Sequence, residues 1–180
     1  MIRKILLALS LVLLTFGPAR AAGPELTLKA ETPFGSLQNL NSLNDRLYFT
    51  GQPDQATLSS LKDRGFAVVV NIRAADEMTF DEQAVVTENG LAYYNLPLLK
   101  DGRIEDATVV AIHNAIRQHR GQKILFHCSS GNRTAAWFGA HLVRDMGYEA
   151  DAAVTLAKQA GMTKDSMEKI LRDYLAALKQ

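Results

Sequence analysis

The sequence predicts an α/β domain, a mostly parallel sheet covered by helices on both faces. Three observations lead there. Past residue 46 a helix, a glycine and a strand follow one another three times in succession. The strands are short, unbroken apolar runs such as Val68-Val69-Val70, which suits strands buried on both faces rather than half-solvated ones. After the last strand the pattern is helix alone.

Taken in order, residues 47–50 form a first strand. Residues 54–64 read as a helix with Leu58 and Leu61 on one side, and Phe66 to Val70 as the strand after it. A second unit pairs a helix at 80–89 with a strand at 91–96. A third opens at Asp106, which is expected to cap its helix, and ends in a strand at 123–126. Helices follow at 134–146, 150–160 and 164–178. Gly65, Gly90, Gly121, Gly147 and Gly161 stand where each of these helices but the last must stop, the position that favours a left-handed residue without a Cβ.

The N-terminus reads differently. Arg3 and Lys4 precede an apolar stretch from Ile5 to Phe16, and Ala19-Arg20-Ala21 is a small-x-small cleavage site. Residues 1–21 are therefore read as a secretory signal peptide, residues 22–46 as an irregular arm and residues 47–180 as the catalytic domain. The apolar run is well short of the ~20 residues that a membrane span needs, so no membrane attachment is expected after cleavage, and the location is periplasmic or secreted. Removing Arg3, Lys4 and Arg20 from 20 basic residues leaves 17 against 19 acids, a net charge of −2. Such a balance carries no electrostatic footprint for nucleic acid.

The single cysteine lies in "HCSSGNRTAAW", residues 127 to 137. A strand ends at Phe126, small residues follow, and a helix begins near Thr134. The backbone N–H groups of Ser129, Ser130, Gly131 and Asn132 and of the first helical turn then lack intrahelical acceptors, and they can curl into an anion cradle at the positive end of the helix. Cys128 at the mouth of that cradle is expected to be open to solvent and to act as a nucleophile, with the Arg133 fork holding oxygens against its sulfur. His127 points to the other side of the extended chain and would brace the loop from behind.

Together with "GQPD" at Gly51, "VVVNIRAADE" at Val68 and "YYNLPLLKD" at Tyr93, this stretch resembles the bacterial branch of the dual-specificity and tyrosine phosphatases, which includes the phosphatase-like domain of beta-lactamase hydrolase-like proteins. The resemblance covers roughly residues 45 to 175. It implies a cysteine-phosphatase-like three-layer fold with a four-stranded, mostly parallel sheet and no cofactor. It also implies Cys128 as nucleophile, Arg133 as phosphate binder and Thr134 as the hydroxyl that helps the thiolate leave. In the family a loop carries an aspartic general acid, and Asp101 is the matching position. The alternative for Asp101 is a plain Asp-Gly turn.

One spacing departs from the family. Its signature places five residues between cysteine and arginine, whereas here there are four, Ser129 to Asn132. A four-residue interval resembles the active-site loop of rhodanese-type sulfurtransferases, in which the cysteine carries a persulfide. Three functions therefore stand open: hydrolysis of a phosphorylated protein or small-molecule phosphate ester, sulfur transfer between a donor and an acceptor through a Cys128 persulfide, and non-catalytic phosphate or sulfate binding.

Arg73 follows a strand and faces the same end of the sheet as Cys128, so it either adds positive charge at the mouth of the site or pairs with Asp76 or Glu77. His113, His119, His127 and His141 show no pairwise ligand spacing, and no metal site is expected from them.

Overall fold

A computed structural model describes residues 26–178. The reading of residues 1–21 as a signal peptide lies outside them. The elements run β1 (Leu28–Ala30), β2 (Asn41–Leu43), β3 (Leu47–Thr50), α1 (Gln55–Ser59), β4 (Phe66–Asn71), α2 (Glu82–Glu88), β5 (Ala92–Asn95), β6 (Leu99–Lys100), β7 (Arg103–Ile104), α3 (Asp106–Gln118), β8 (Lys123–His127), α4 (Asn132–Arg144), α5 (Ala150–Gln159) and α6 (Asp165–Ala177). Among the described residues no helix is long and apolar enough to cross a membrane.

The main sheet has the order β1-β2-β3-β8-β4-β5. Its four strands β3, β8, β4 and β5 are mutually parallel, as the helix–strand repeat requires, and β8 lies between β3 and β4. The stretch expected to be an irregular arm is partly ordered into the sheet: β1 and β2 extend it by two antiparallel strands, β2 pairing with β3 through Asn41↔Phe49. Its Asn, Ser and Lys residues hid this, because an edge strand needs backbone partners more than apolar side chains.

Period two sorts the sheet residues to its two faces. Phe49, Val68, Val70, Ile124 and Phe126 pack with Trp137, Phe138 and Leu142 of α4 and with α3, α5 and α6. Tyr48, Phe66, Val69 and Leu125 point the other way, onto Leu58, Leu61 and Val86 beside α1 and α2. Two unequal cores result, and the larger one surrounds α4.

The predicted glycine stops all take positive φ. One cap differs from expectation: Asp106 is the first residue of α3, and its carboxylate accepts from Arg144 Nε (2.7 Å) and from the Tyr174 hydroxyl (2.7 Å) instead of capping the helix. A guanidinium and a phenol from α4 and α6 reach it more fully than the helix's own N–H groups can.

Helix α4 is held closely on its outer side. A Cβ built on Gly139 would come 2.7 Å from Leu171 Cδ2 and 3.2 Å from the Ala157 Cβ, so α5 and α6 sit against bare backbone there. Gly139→Val is expected to destabilise the protein by ~1–3 kcal/mol through overpacking, measured as a lowered denaturant midpoint with unchanged slope.

Candidate active site

Cys128 follows β8 directly, and its N–H donates to the Thr50 carbonyl at the end of β3 (3.3 Å), so the thiol sits at the carboxyl end of the sheet between parallel strands. Gly131 is the N-cap of α4 with φ +85°. A side chain there would be strained, and its Cβ would meet Asn39 Nδ2 at 3.3 Å. The Gly131 N–H donates to Cys128 Sγ (3.1 Å), and the first backbone bond of the helix runs from the Ala135 N–H to the Gly131 carbonyl (3.2 Å). The N–H groups ahead of that bond have no acceptor within the helix, and the positive end of its dipole lies beside the sulfur.

Neighbouring segments fasten the loop from behind. Gly51 bridges Ser130, and the Gln52 N–H donates to the Ser129 carbonyl (3.3 Å). Asn39 Nδ2 donates to the carbonyls of Ser130 (3.4 Å) and Gly161 (3.0 Å). Asn132 was expected to line the anion cradle. Its side chain instead lies buried behind the loop, where Oδ1 accepts from the N–H groups of Thr163 and Lys164, each at 2.8 Å. Those two groups precede α6 and need an acceptor that their own helix cannot supply. Ser130 Oγ in turn accepts from Asn132 Nδ2 (3.3 Å). Thr134, assigned to the leaving thiolate by resemblance, donates its hydroxyl proton to the Gly131 carbonyl (2.7 Å), the short-range acceptor that a helical threonine finds three residues back.

Arg133 carries a bidentate pair. Nη1 and Nη2 donate to the two Glu77 oxygens at 2.7 and 2.6 Å, and Nη2 also reaches Ser129 Oγ (3.1 Å). Hydrogen bonding to Glu77 raises Arg133 above the ordinary guanidinium value, opposed by burial and assisted by the nearby Cys128. The same Arg133 bond holds Glu77 down from an ordinary 4.5 to about 2, against its own desolvation.

One expectation changes here, and one alternative is decided. Cys128 is not open to solvent: it is wholly buried, under a loop drawn tight by its short span and by the tether from Arg133 to Glu77. Arg73 pairs with Glu77, the second of its two readings. It is buried and donates to Gln52 Oε1 and to the Glu77 carbonyl, and its Nε lies 3.7 Å from Glu77 Oε1, so it braces the residue that holds Arg133.

Behind Cys128 lies a buried polar network, of which the sequence reading singled out only His127. His127 Nε2 lies 2.7 Å from Glu82 Oε1, which also accepts from Asn71 Nδ2 (3.1 Å), while Glu82 Oε2 accepts from Gln52 Nε2 (2.8 Å). Burial pushes the Glu82 carboxyl up, but His127, Gln52 and Asn71 outweigh it and leave the group below its ordinary value. Asn71 Nδ2 also donates to the Tyr93 hydroxyl (3.2 Å), whose own ionisation burial and the Glu82 charge push up to about 12. His127 thus lies buried behind the loop, held by Glu82. The signal was present in "GQPD" and "VVVNIRAADE", which contain Gln52, Asn71, Arg73 and Glu77.

Asp101 is placed in a tight turn. β6 and β7 form a two-residue hairpin whose central residues, Asp101 (φ 48°) and Gly102 (φ 75°), both have positive φ, the type I′ pattern that Asp-Gly favours. The chain leading into it pairs with the end of β4, the Leu96 N–H on the Asn71 carbonyl (2.8 Å) and the Leu98 N–H on the Ile72 carbonyl (3.3 Å). The hairpin thus stands at the same end of the sheet as Cys128. Asp101 itself is exposed, and no hydrogen bond ties its carboxylate to the cysteine loop among the described residues.

No protein-family model matches the chain. Beta-lactamase hydrolase-like proteins from two strains of Xylella fastidiosa, Temecula1 and 9a5c, are each 29% identical over 124 residues, which is 66% of this chain and 28% of theirs. The chain thus matches less than a third of the length of these relatives. Among solved structures, TpbA from P. aeruginosa in complex with pTyr superposes with a TM-score of 0.61 at 20% identity, covering 76% of this chain and 82% of that one. Tk-PTP in its active form gives 0.60 at 18% identity, covering 73% and 92%. A DUF442 protein of Shewanella putrefaciens gives 0.61 at 22% identity, covering 79% and 94%. The chain has the cysteine-phosphatase fold.

The Glu77 shift has a measurable consequence. A carboxylate held down by a native partner contributes stability that is fully present above about 4.5 and is lost as pH falls toward about 2. Glu77→Gln is expected to flatten the fall in stability across that window, followed by denaturant midpoints at successive pH values.

Proposed function

We propose that the chain is a cysteine-dependent phosphatase that hydrolyses phosphate monoesters through a phosphocysteine intermediate. One observation carries this reading above the others. In a cysteine-phosphatase fold, the only thiol sits under the N-terminus of α4, accepts the Gly131 N–H at 3.1 Å and adjoins a guanidinium fixed from behind. That TpbA is known in complex with pTyr makes a phosphotyrosine-type ester the first substrate class to try.

Chemistry follows from the donors. Arg133 has five N–H groups, of which Glu77 engages two and Ser129 one; once Ser129 gives way, Nε–H and the adjacent Nη2–H form the parallel fork for two phosphoryl oxygens. Loop N–H groups and the α4 dipole take the remaining oxygen charge. The Cys128 thiolate attacks phosphorus, the ester P–O bond breaks, and the leaving oxygen takes a proton. Water then attacks the phosphocysteine, the S–P bond breaks and phosphate leaves. Glu77 does not serve as the proton donor, because Arg133 keeps it ionised at neutral pH. Asp101, on a hairpin at the correct end of the sheet, is assigned that proton. Because Cys128 is covered, the Ser129 side of the loop and the segment carrying Glu77 must part to admit an ester. The leader pattern, Arg3 and Lys4 before the apolar run from Ile5, supports action outside the cytoplasm, in the periplasm or secreted.

Purified protein is expected to release phosphate from an aryl phosphate. Cys128→Ser should abolish this, and Asp101→Asn should lower kcat by ~10²–10⁴ for a poor leaving group. Intact mass after quenching with substrate should show one trapped phosphoryl group. A gain of one sulfur from thiosulfate, with no phosphate release, would replace this reading with sulfur transfer.

A further inference from the structure

α4 begins at the cysteine loop, and about 13 Å along it a second set of chemistry-bearing side chains comes together. His141 on α4 and His113 on α3 face each other with ring centroids 4.8 Å apart, and His141 Nδ1 lies 2.7 Å from Asp145 Oδ2. One ligand atom from each of the three side chains can be chosen so that all lie within 4.8 Å of one another. Asp145 is the C-cap of α4, four residues after His141 and on the same face, and His113 is supplied by the neighbouring helix. That third member is why no spacing in the sequence announced the group.

Each component has the support that a cation ligand needs. His141 stacks on Trp137 at 5.1 Å with an interplanar angle of 3°, and buried Trp137 is itself fixed by its Nε1–H donating to the Val109 carbonyl (3.2 Å). Arg144 donates to the other Asp145 oxygen (2.7 Å) while also gripping Asp106, so the carboxylate is oriented and two acids face one guanidinium. His113 makes no hydrogen bond with the described residues, and its half-buried ring packs against that of His141. Around zinc, with bonds of ~2.0–2.2 Å, tetrahedral ligand atoms lie ~3.4 Å apart. The His141–Asp145 pair is hydrogen-bonded at 2.7 Å, so an entering cation displaces the shared proton and lets the two atoms part to that spacing, while His113 rotates to supply the third ligand.

We propose that His113, His141 and Asp145 form a binding site for a divalent transition cation of the zinc type, which ties α3 to α4 on the side of the sheet core away from the cysteine loop. Two imidazoles and one carboxylate match the ligand preference of such ions, and three protein ligands leave one coordination position open. That position borders a groove of about 160 Å³ that His113 and His141 line together with Arg46, Arg117 and Arg120. Arg117 and Arg120 are exposed, so solvent and salt screen their repulsion of the cation.

The test uses the Cys128→Ser protein without a histidine tag, so that the thiolate cannot compete for metal. Titration with Zn²⁺ is expected to show one saturable equivalent and a melting temperature that rises with zinc concentration, and Co²⁺ should give the visible absorption of a low-coordinate N/O site. His113→Gln and Asp145→Asn, each confirmed as folded by its metal-free melting curve, should each weaken binding at least ~10-fold. Absence of saturable binding at millimolar zinc, or affinity unchanged in both variants, overturns the proposal. Phosphate release by the otherwise wild-type His113→Gln protein reports separately on the proposed phosphatase.

Discussion

The paired carboxylate and guanidinium of Glu77 and Arg133 set the state of the whole site. A free arginine side chain loses much rotamer entropy when an anion captures it, whereas one already held by two charge-assisted hydrogen bonds presents its remaining donors in a fixed plane. The pair is partly buried, so each charge has given up some hydration, and the two are mutually dependent: removing either leaves the other uncompensated. Arg73 adds a second cation on the far side of Glu77, anchored through Gln52, and Gln52 in turn touches the Ser129 carbonyl and Glu82. Arg133, the loop backbone and the buried His127 are thus joined through a few side chains.

That connection explains the packing of the loop. Ser129 to Asn132 is too short to hold its own shape, and it is fastened at both carbonyls and at Asn132 to residues far away in the chain: Gly51, Gln52, Asn39, Thr163 and Lys164. Gly131 makes the left-handed turn at the head of α4 without strain, because it has no Cβ. The packed loop also covers Cys128 fully, so its thiol is protected from bulk solvent and access depends on motion of the flanking segments.

Much of the frame could be read in advance because it rests on local signals. Apolar runs at Val68 and Ile124, glycine stops and the strand-to-helix turn at Cys128 each follow from a few adjacent residues, and the four parallel strands appear where they predict. Features decided by tertiary contacts could not be read in this way. The antiparallel strands β1 and β2 are polar in sequence and become strands only by pairing with β3. Asp106 looked like a cap and is an ion-pair partner of Arg144, some 38 residues away. Asn132, Ser130 and Thr134 had the composition of a cradle, yet their side chains serve the scaffold, and Glu77 and Glu82 carry charges whose roles depend on partners 56 and 45 residues away. Asp101-Gly102 shows both sides, since the turn chemistry was legible and the reach of the carboxylate was not.

The central claim is that Cys128 and Arg133 form one anion site, opened against the hold of Glu77. A crystal structure of the protein soaked with vanadate tests this most directly. The account predicts vanadium bonded to Cys128 Sγ, with its oxygens on the Arg133 guanidinium and the loop N–H groups, and Glu77 still paired to the opposite edge of Arg133. Vanadate absent from the loop at saturating concentration, with Cys128 still sealed and Arg133 bound to Glu77 alone, would contradict it.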